Sequence, residues 1–227
     1  MAEQKVESVE RALSLLDAFV GGRPRLTLSE LAQRTGLYPS TILRLAASLE
    51  RFGFLHREAE GSFRLGSAVL RLGQQYEEAF DLADYVRPAL RGLVEKTEET
   101  AAFYVREGPH RVCLYRQHAP RMLRYSLEEG SKLPLDRGAS ARVLMAFSGA
   151  EGAPYDAIRD QGYYISQGER DPETAAVAVP VFGIRHSLIG ALGVAGTRTR
   201  LDDAACEKAL RSIQDAANRL SAVLGDI

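Results

Sequence analysis

The 227-residue chain carries 29 lysines and arginines against 30 aspartates and glutamates, for a net charge of -1, and 45% of its residues are apolar. This is the balance of an ordinary folded protein, which argues against intrinsic disorder and leaves room for a small domain joined to a medium one. No apolar run approaches the roughly 18 to 20 residues that span a bilayer, the first nine residues lack a signal peptide's hydrophobic stretch, and the cysteines are Cys113 and Cys206 alone, so a reduced, cytoplasmic setting is expected.

Val9, Ala12, Leu13, Leu16, Phe19 and Val20 recur at three- and four-residue intervals and predict a helix over residues 8–20, ended by Gly21 and Gly22. Thr27-Leu28-Ser29-Glu30 has the form of a capping box, in which the Thr27 hydroxyl accepts from the third helical amide while Glu30 reaches back. The second helix it opens runs to a sharp turn at Gly36. Pro39 suits the first position of a third helix, because its missing amide proton costs nothing there. Ile42, Leu45, Ala46 and Leu49 form that helix's buried side, so Ser40, Thr41 and Arg44 face outward. Segments 54–57 and 62–65 flank Glu58-Ala59-Glu60-Gly61 and read as a short hairpin.

Helix, capped helix, glycine turn, helix and hairpin is the layout that places a recognition helix in the major groove with a wing beside it. Arg44 can bond a guanine edge at two points, and the hydroxyls of Ser40 and Thr41 can reach bases or phosphates. Arg25 before the second helix and Arg64 in the second wing strand fall near phosphates, and Thr27, Tyr38 and Pro39 complete the candidate DNA face. Between residues 21 and 66, seven arginines (23, 25, 34, 44, 51, 57 and 64) oppose four glutamates (30, 50, 58 and 60). So modest a surplus predicts weak binding by one copy and a need for several acting together.

Beyond Gly66, Val69, Leu70, Leu72 and Tyr76 predict a connector helix to about residue 80, its continuity broken at Asp81 and Pro88. A further amphipathic helix to about residue 97 precedes strands over 100–106, 111–117 and 122–127, helices over 139–147 and 155–161, and strands over 175–182 and 188–195. Asp202 caps a last helix carrying Leu210, Ile213, Leu220 and Leu224. The expected fold is α+β, an antiparallel sheet with helices packed on it. Its organisation is a winged helix-turn-helix over 1–66, a linker helix over 67–81 and a second domain over 82–227.

Enzymatic signatures do not assemble. His110, Cys113 and His118 match no zinc spacing, and Glu128 with Glu129 reads as solvated surface. Gly190-Ala191-Leu192-Gly193 lies within a strand pattern and not at a strand-to-helix turn, so it is no phosphate loop. No catalytic residue, metal or cofactor is assigned.

The chain resembles the isocitrate lyase regulator (IclR) family of bacterial transcription factors. The resemblance rests on Val9-Glu10-Arg11-Ala12-Leu13, Leu28-Ser29-Glu30-Leu31-Ala32, Ser40-Thr41-Ile42, Arg44-Leu45, Gly130-Ser131-Lys132-Leu133-Pro134-Leu135, Gly168-Glu169-Arg170, Ala178-Val179-Pro180-Val181-Phe182 and Gly190-Ala191-Leu192. It implies a C-terminal domain similar to the GAF and PAS sensors that holds a small effector over its sheet. It also implies homodimers that pair into tetramers, with double-stranded operator DNA as partner and no membrane. Carried over by motif position, the effector pocket falls on Met122, Tyr125, Leu133, Ala139, Ser140, Ser166, Thr174, Ala176, Gly193 and Ala195. This lining is small and largely apolar. Ala176, Gly193 and Ala195 stand where relatives that bind short carboxylates offer polar anchors, which predicts an effector bulkier than a two- or three-carbon acid, an aromatic compound being one candidate. The sequence departs from the family's His-Ala-Thr-Ala pattern at Asp136-Arg137-Gly138-Ala139, a sign of a remodelled loop. Two readings stand at this point: an effector-responsive DNA-binding regulator, repressor or activator, and a small-molecule sensor or enzyme-like domain whose N-terminal helices mediate protein contacts only.

Overall fold

The structure, a computed structural model, describes residues 5–20, 23–78, 82–120 and 127–225. Its contacts divide the chain into two compact units, Met1–Asp81 and Leu82–Ile227.

In the first unit α1 (Glu7–Asp17), α2 (Leu28–Thr35) and α3 (Pro39–Arg51) are followed by the two-stranded hairpin β1 (Leu55–Arg57) and β2 (Phe63–Leu65), and then by α4 (Ser67–Glu78). One core holds the three helices and the hairpin together, built from Leu15, Phe19, Leu26, Leu31, Ile42, Ala46, Leu55 and Phe63. Each large apolar side chain so buried contributes about 1.5 to 3 kcal/mol. Leu26 also exchanges both backbone hydrogen bonds with Phe63, at 2.9 and 2.7 Å, which pins the segment before α2 to the hairpin edge. The capping box at Thr27 and Glu30 forms, and α2 ends on Gly36 at φ 70°, the left-handed conformation that glycine tolerates best.

The second unit is a six-stranded antiparallel sheet in the order β5-β4-β3-β8-β7-β6. Its strands are β3 (Thr100–Glu107), β4 (His110–Gln117), β5 (Lys132–Pro134), β6 (Tyr164–Gln167), β7 (Thr174–Phe182) and β8 (Leu188–Thr197). Helices α5 (Ala83–Thr97) and α8 (Asp203–Gly225) pack on each other and on the sheet, while α6 (Ala139–Phe147) and α7 (Tyr155–Gln161) form a second pair against β6, β7 and β8. The Asp202 carboxylate caps α8 by accepting from the Ala205 amide at 2.8 Å. This arrangement is the α+β class expected from the sequence.

Two local expectations change, and a third lies outside the described residues. Pro88 lies inside α5 and does not interrupt it; the buried stripe Val86, Leu90, Leu93 and Val94 holds the helix together across the hydrogen bond that proline removes. Strands β5 and β6 went unforeseen, being three and four residues long and thus too short for an alternating pattern to emerge. The strand expected over 122–127 falls almost wholly on residues 121–126, outside the described residues.

Candidate nucleic-acid interface and ligand cavity

On α3 the core side is fixed by Ile42 and Ala46, both essentially inaccessible. At about 100° per residue the opposite side is Ser40, Arg44, Ala47 and Arg51, and all four are exposed. Tyr38, 81% exposed at the N-cap, and Pro39 lead into this stripe. Among the described residues Arg44 has no ion-pair partner. Thr41 is a correction: it is half-buried, because its place next to Ile42 puts it on the flank of the helix. Leu43, Ala47 and Arg51 are exposed neighbours that the sequence reading passed over. Extending the three-and-four spacing from Ser40 and Arg44 would have found Ala47 and Arg51.

Three other candidates are engaged locally. The Thr27 hydroxyl accepts from the Glu30 amide at 3.2 Å and donates to the Glu30 carboxylate at 2.9 Å, so its polar capacity serves the cap. The backbone and side-chain bonds from Thr27 hold the Glu30 carboxyl below its usual range, the backbone bond being the larger influence. Arg64 Nε donates to Glu58 Oε1 at 2.7 Å, and Arg25 Nε lies 4.0 Å from the same oxygen. Both were placed as phosphate contacts; the structure sets both beside a carboxylate that the hairpin turn presents to them.

The second unit contains a cavity of about 230 Å³ between the α6 side of the sheet and the start of α6. Alternation along the strands brings Thr100, Ala102 and Tyr104 of β3 to its wall, together with residues of β7 and β8. Of the expected pocket residues, Ala139, Ser140, Ser166, Thr174, Ala176, Gly193 and Ala195 meet there. Met122 and Tyr125 lie outside the described residues. Leu133 is not on the wall and packs instead on the buried cluster of Ala102, Cys113 and Leu127.

One further correction concerns Gly193. A side chain at Gly193 would bring its Cβ to 2.8 Å from the Val177 carbonyl oxygen, so this glycine is required by strand packing and does not simply enlarge the pocket. The wall is largely apolar, as expected, and charged side chains also border it, since Arg111, Arg116, Arg170, Arg200 and Glu99 all line it. Glu99 and Arg200 form a two-point ion pair, with Arg200 Nη2 donating at 3.0 Å. Burial pushes the Tyr104 hydroxyl up to about 12 and the Cys113 thiol up to about 11, so both are neutral at physiological pH.

The mouth of α6 is set by Gly138, whose φ of 91° and lack of a side chain, with the Arg111 Nη2 atom 3.4 Å from where a Cβ would stand, fit glycine at this point. The Gly138 amide donates to Glu169 at 3.0 Å, and Arg142 Nε donates to the same carboxylate oxygen at 3.4 Å. Burial works to raise the Glu169 pKa, but the Gly138 amide, Tyr164 and Arg142 outweigh it and hold the carboxyl below its usual range. Among the described residues there is no cluster of His, Cys, Asp and Glu suited to a metal ion, and no helix is long and apolar enough to cross a membrane.

Comparison with known proteins converges on one family. Residues 8–59 match the IclR helix-turn-helix domain, and residues 74–155 and 153–222 match the C-terminal domain of the bacterial transcriptional regulator IclR. The HTH-type transcriptional regulator KipR of Bacillus subtilis is 27% identical over 248 aligned residues, covering 98% of this chain and 99% of its own. A putative IclR transcriptional regulator from Silicibacter superposes with a TM-score of 0.70 at 27% identity, over 96% of each chain. An IclR homolog from Microbacterium hydrocarbonoxydans, crystallised with 4-hydroxybenzoate, shares the fold with a TM-score of 0.79 at 21% identity, over 97% of this chain and 100% of that one. The chain belongs to the IclR family of bacterial transcriptional regulators.

Proposed function

We propose that this protein is a sequence-specific, effector-responsive regulator that acts as a homodimer or as paired dimers on operator DNA in the cytoplasm. The observation that carries the reading is the solvent stripe of α3: Ser40, Arg44 and Ala47 stand directly opposite Ile42 and Ala46, on a helix whose rigid core support leaves that side for a groove. Arg44 supplies a two-point donor for guanine, Ser40 a short hydroxyl for a base or phosphate, and Ala47 and Leu43 apolar contact for thymine methyl groups. Thr41, Tyr38, Pro39, Arg25 and Arg64 serve the phosphate backbone around them.

The cavity of the second unit takes the effector. Ser140, Ser166 and Thr174 offer hydroxyls, and Ala176, Gly193 and Ala195 keep the wall low. A void of about 150 Å³ accommodates benzene, so 230 Å³ holds a molecule larger than a two- or three-carbon acid. The co-crystallised 4-hydroxybenzoate of the Microbacterium homolog supports ligand binding in this fold. Regulation then requires that the effector favour one DNA-binding state over the other, because equal affinity for both shifts nothing.

The test is a fluorescence-anisotropy titration of full-length protein with DNA from upstream of its gene. Arg44→Ala should lose about 1 to 3 kcal/mol of affinity for the specific site. Unchanged binding by that variant, or no preference of the native protein for any upstream fragment, would overturn the reading and leave protein contacts as the role of the N-terminal helices.

A further inference from the structure

The register of the sheet sets the floor of the ligand cavity. Residues paired directly across antiparallel strands project from the same face. Thr100 pairs with Ala195, Ala195 with Ala176, and Ala176 with Ser166, so these four form one row across β3, β8, β7 and β6. All four border the cavity. The next row on that face, two residues along each strand, holds Ala102, Gly193 and Ala178, which border it as well. Between the two hydroxyl residues, therefore, no side chain in either row exceeds a methyl group. Ala139, at the start of α6, adds another methyl to the border. Walls of this kind are flat, and a planar frame touches them over its whole face where a puckered one touches with fewer atoms.

The two ends of the Thr100–Ser166 row are polar. Ser166 is 5% exposed, and among the described residues its hydroxyl meets no hydrogen-bond partner although it borders the cavity. A hydroxyl withdrawn from water without a partner is costly. Thr100, at the other end, is 6% exposed; its oxygen accepts from the Ala119 amide at 3.2 Å, and among the described residues its own proton has no acceptor. Thr174 differs, because its hydroxyl donates to the Asp171 carbonyl at 3.0 Å. The charged side chains at the border have partners within the protein: Glu99 pairs with Arg200, Arg111 donates to the Arg137 carbonyl, Arg116 donates to the Tyr104 hydroxyl, and Arg170 is engaged too.

Three strand spacings separate Thr100 from Ser166, about 14 Å along the sheet. A hydrogen bond of about 2.8 Å at each end leaves about 8 to 9 Å between the polar atoms of a molecule that reaches both. A benzene ring with its polar groups attached directly is too short for this span, and a ring extended by a conjugated two-carbon arm meets it. We infer that the cavity selects a flat, elongated molecule with a hydroxyl at one end, held by Ser166, and a hydrogen-bond acceptor at the other, held by Thr100, its unsaturated frame lying on the alanine floor. This rests on the effector reading above and narrows it to a chemical class, hydroxyarenes that carry a conjugated acyl arm. A carboxylate and a neutral amide both supply the acceptor.

Calorimetric titration of the full-length protein with 4-hydroxycinnamate and 4-hydroxycinnamamide tests the inference. The controls are cinnamamide, which lacks the hydroxyl; 4-vinylphenol, which lacks the acceptor; 4-hydroxybenzamide, which is shorter; and 3-(4-hydroxycyclohexyl)propanamide, whose ring is puckered. At least one of the two test compounds should bind about tenfold or more tighter than every control. Ser166→Ala should weaken that compound about tenfold and leave cinnamamide unchanged. Thr100→Val should weaken it similarly and leave 4-vinylphenol unchanged; if loss of the Ala119 contact unfolds that variant, Ser166→Ala decides alone. Preference for the carboxylate or for the amide identifies the acyl end. A shorter or puckered control that binds as tightly, an equal loss for hydroxylated and unhydroxylated compounds in Ser166→Ala, or no binding of either test compound at millimolar concentration would overturn the inference. Operator binding measured in parallel keeps the two readings apart. A compound of another class that shifts operator affinity while this panel is ignored sinks only the flat ligand; Ser166-dependent binding of the panel without operator binding sinks only the regulator.

Discussion

Arg64 and Glu58 face each other across the wing hairpin, with Nε donating to Oε1 at 2.7 Å and Arg25 approaching the same oxygen at 4.0 Å. Glu58 is mostly covered, its side chain 22% exposed, so on the proposed reading it tempers two of the seven arginines offered to the phosphate backbone. Removing its charge should strengthen DNA binding. For Glu58→Gln we expect a gain of about 1 kcal/mol at low salt and a salt dependence steeper by about one phosphate contact. Anisotropy titrations across a series of KCl concentrations check this, and an unchanged slope would show that the wing arginines stay off the backbone.

Thr27 illustrates how the same exposed residue can serve folding and not recognition. Its hydroxyl and amide are both engaged with Glu30. Thr27→Ala should destabilise the first unit by about 1 kcal/mol, while Thr27→Ser should cost much less. Urea unfolding followed by circular dichroism gives the difference. At protein concentrations and temperatures where the variant is folded, operator affinity should match that of the native chain; a loss well beyond the loss in stability would restore Thr27 to the DNA face.

The parts of this molecule that could be read from sequence are those set by neighbours in the chain. The capping box needs only Thr27 to Glu30, the start of α3 only Pro39, and the two sides of α3 only the spacing of Ile42 and Ala46. The basic character of the cavity could not be read in that way. Arg111 and Arg116 share a face only because Leu114 is displaced by a register shift against β3, and Arg170 joins them through a segment more than fifty residues further on. Likewise the role of Gly193 depends on the carbonyl of Val177 in the adjacent strand, and the engagement of Arg64 depends on the turn that returns Glu58 to it. Small residues suggest a roomy pocket when counted along the chain; pairing between strands decides which of them are small to make room for a ligand and which to make room for backbone.

Gly193→Ala tests that distinction. With its Cβ set at 2.8 Å from the Val177 oxygen and 3.3 Å from the Ala178 Cβ, the added methyl must push β7 and β8 apart. A loss of about 1 to 3 kcal/mol is expected, as for other overpacked sites. Ala195→Gly, at the next position along the same strand face, should instead be limited to the cost of added backbone freedom, about 0.5 to 1 kcal/mol. Thermal unfolding of both variants decides, and a neutral Gly193→Ala would return position 193 to a purely pocket-shaping role.

Glu169 gives the second unit a predictable response to acid. Burial opposes its ionisation, yet the Gly138 amide, Tyr164 and Arg142 together hold its pKa below the reference value of 4.5. A carboxyl whose pKa is depressed by folding stabilises the native state fully above the unfolded value, and that contribution fades as pH falls through the folded one. The native protein should therefore lose stability below about pH 4.5 more steeply than Glu169→Gln does, and the difference in Tm between them, largest near neutrality, should shrink on acidification. Because Glu169 holds the amide that opens α6 beside the cavity, the same substitution should weaken ligand binding at pH 7. Tm measured from pH 3 to 7 on both proteins tests the first expectation and calorimetry the second; a pH-independent gap in Tm would mean that the Glu169 contacts stabilise the fold through packing and not through charge.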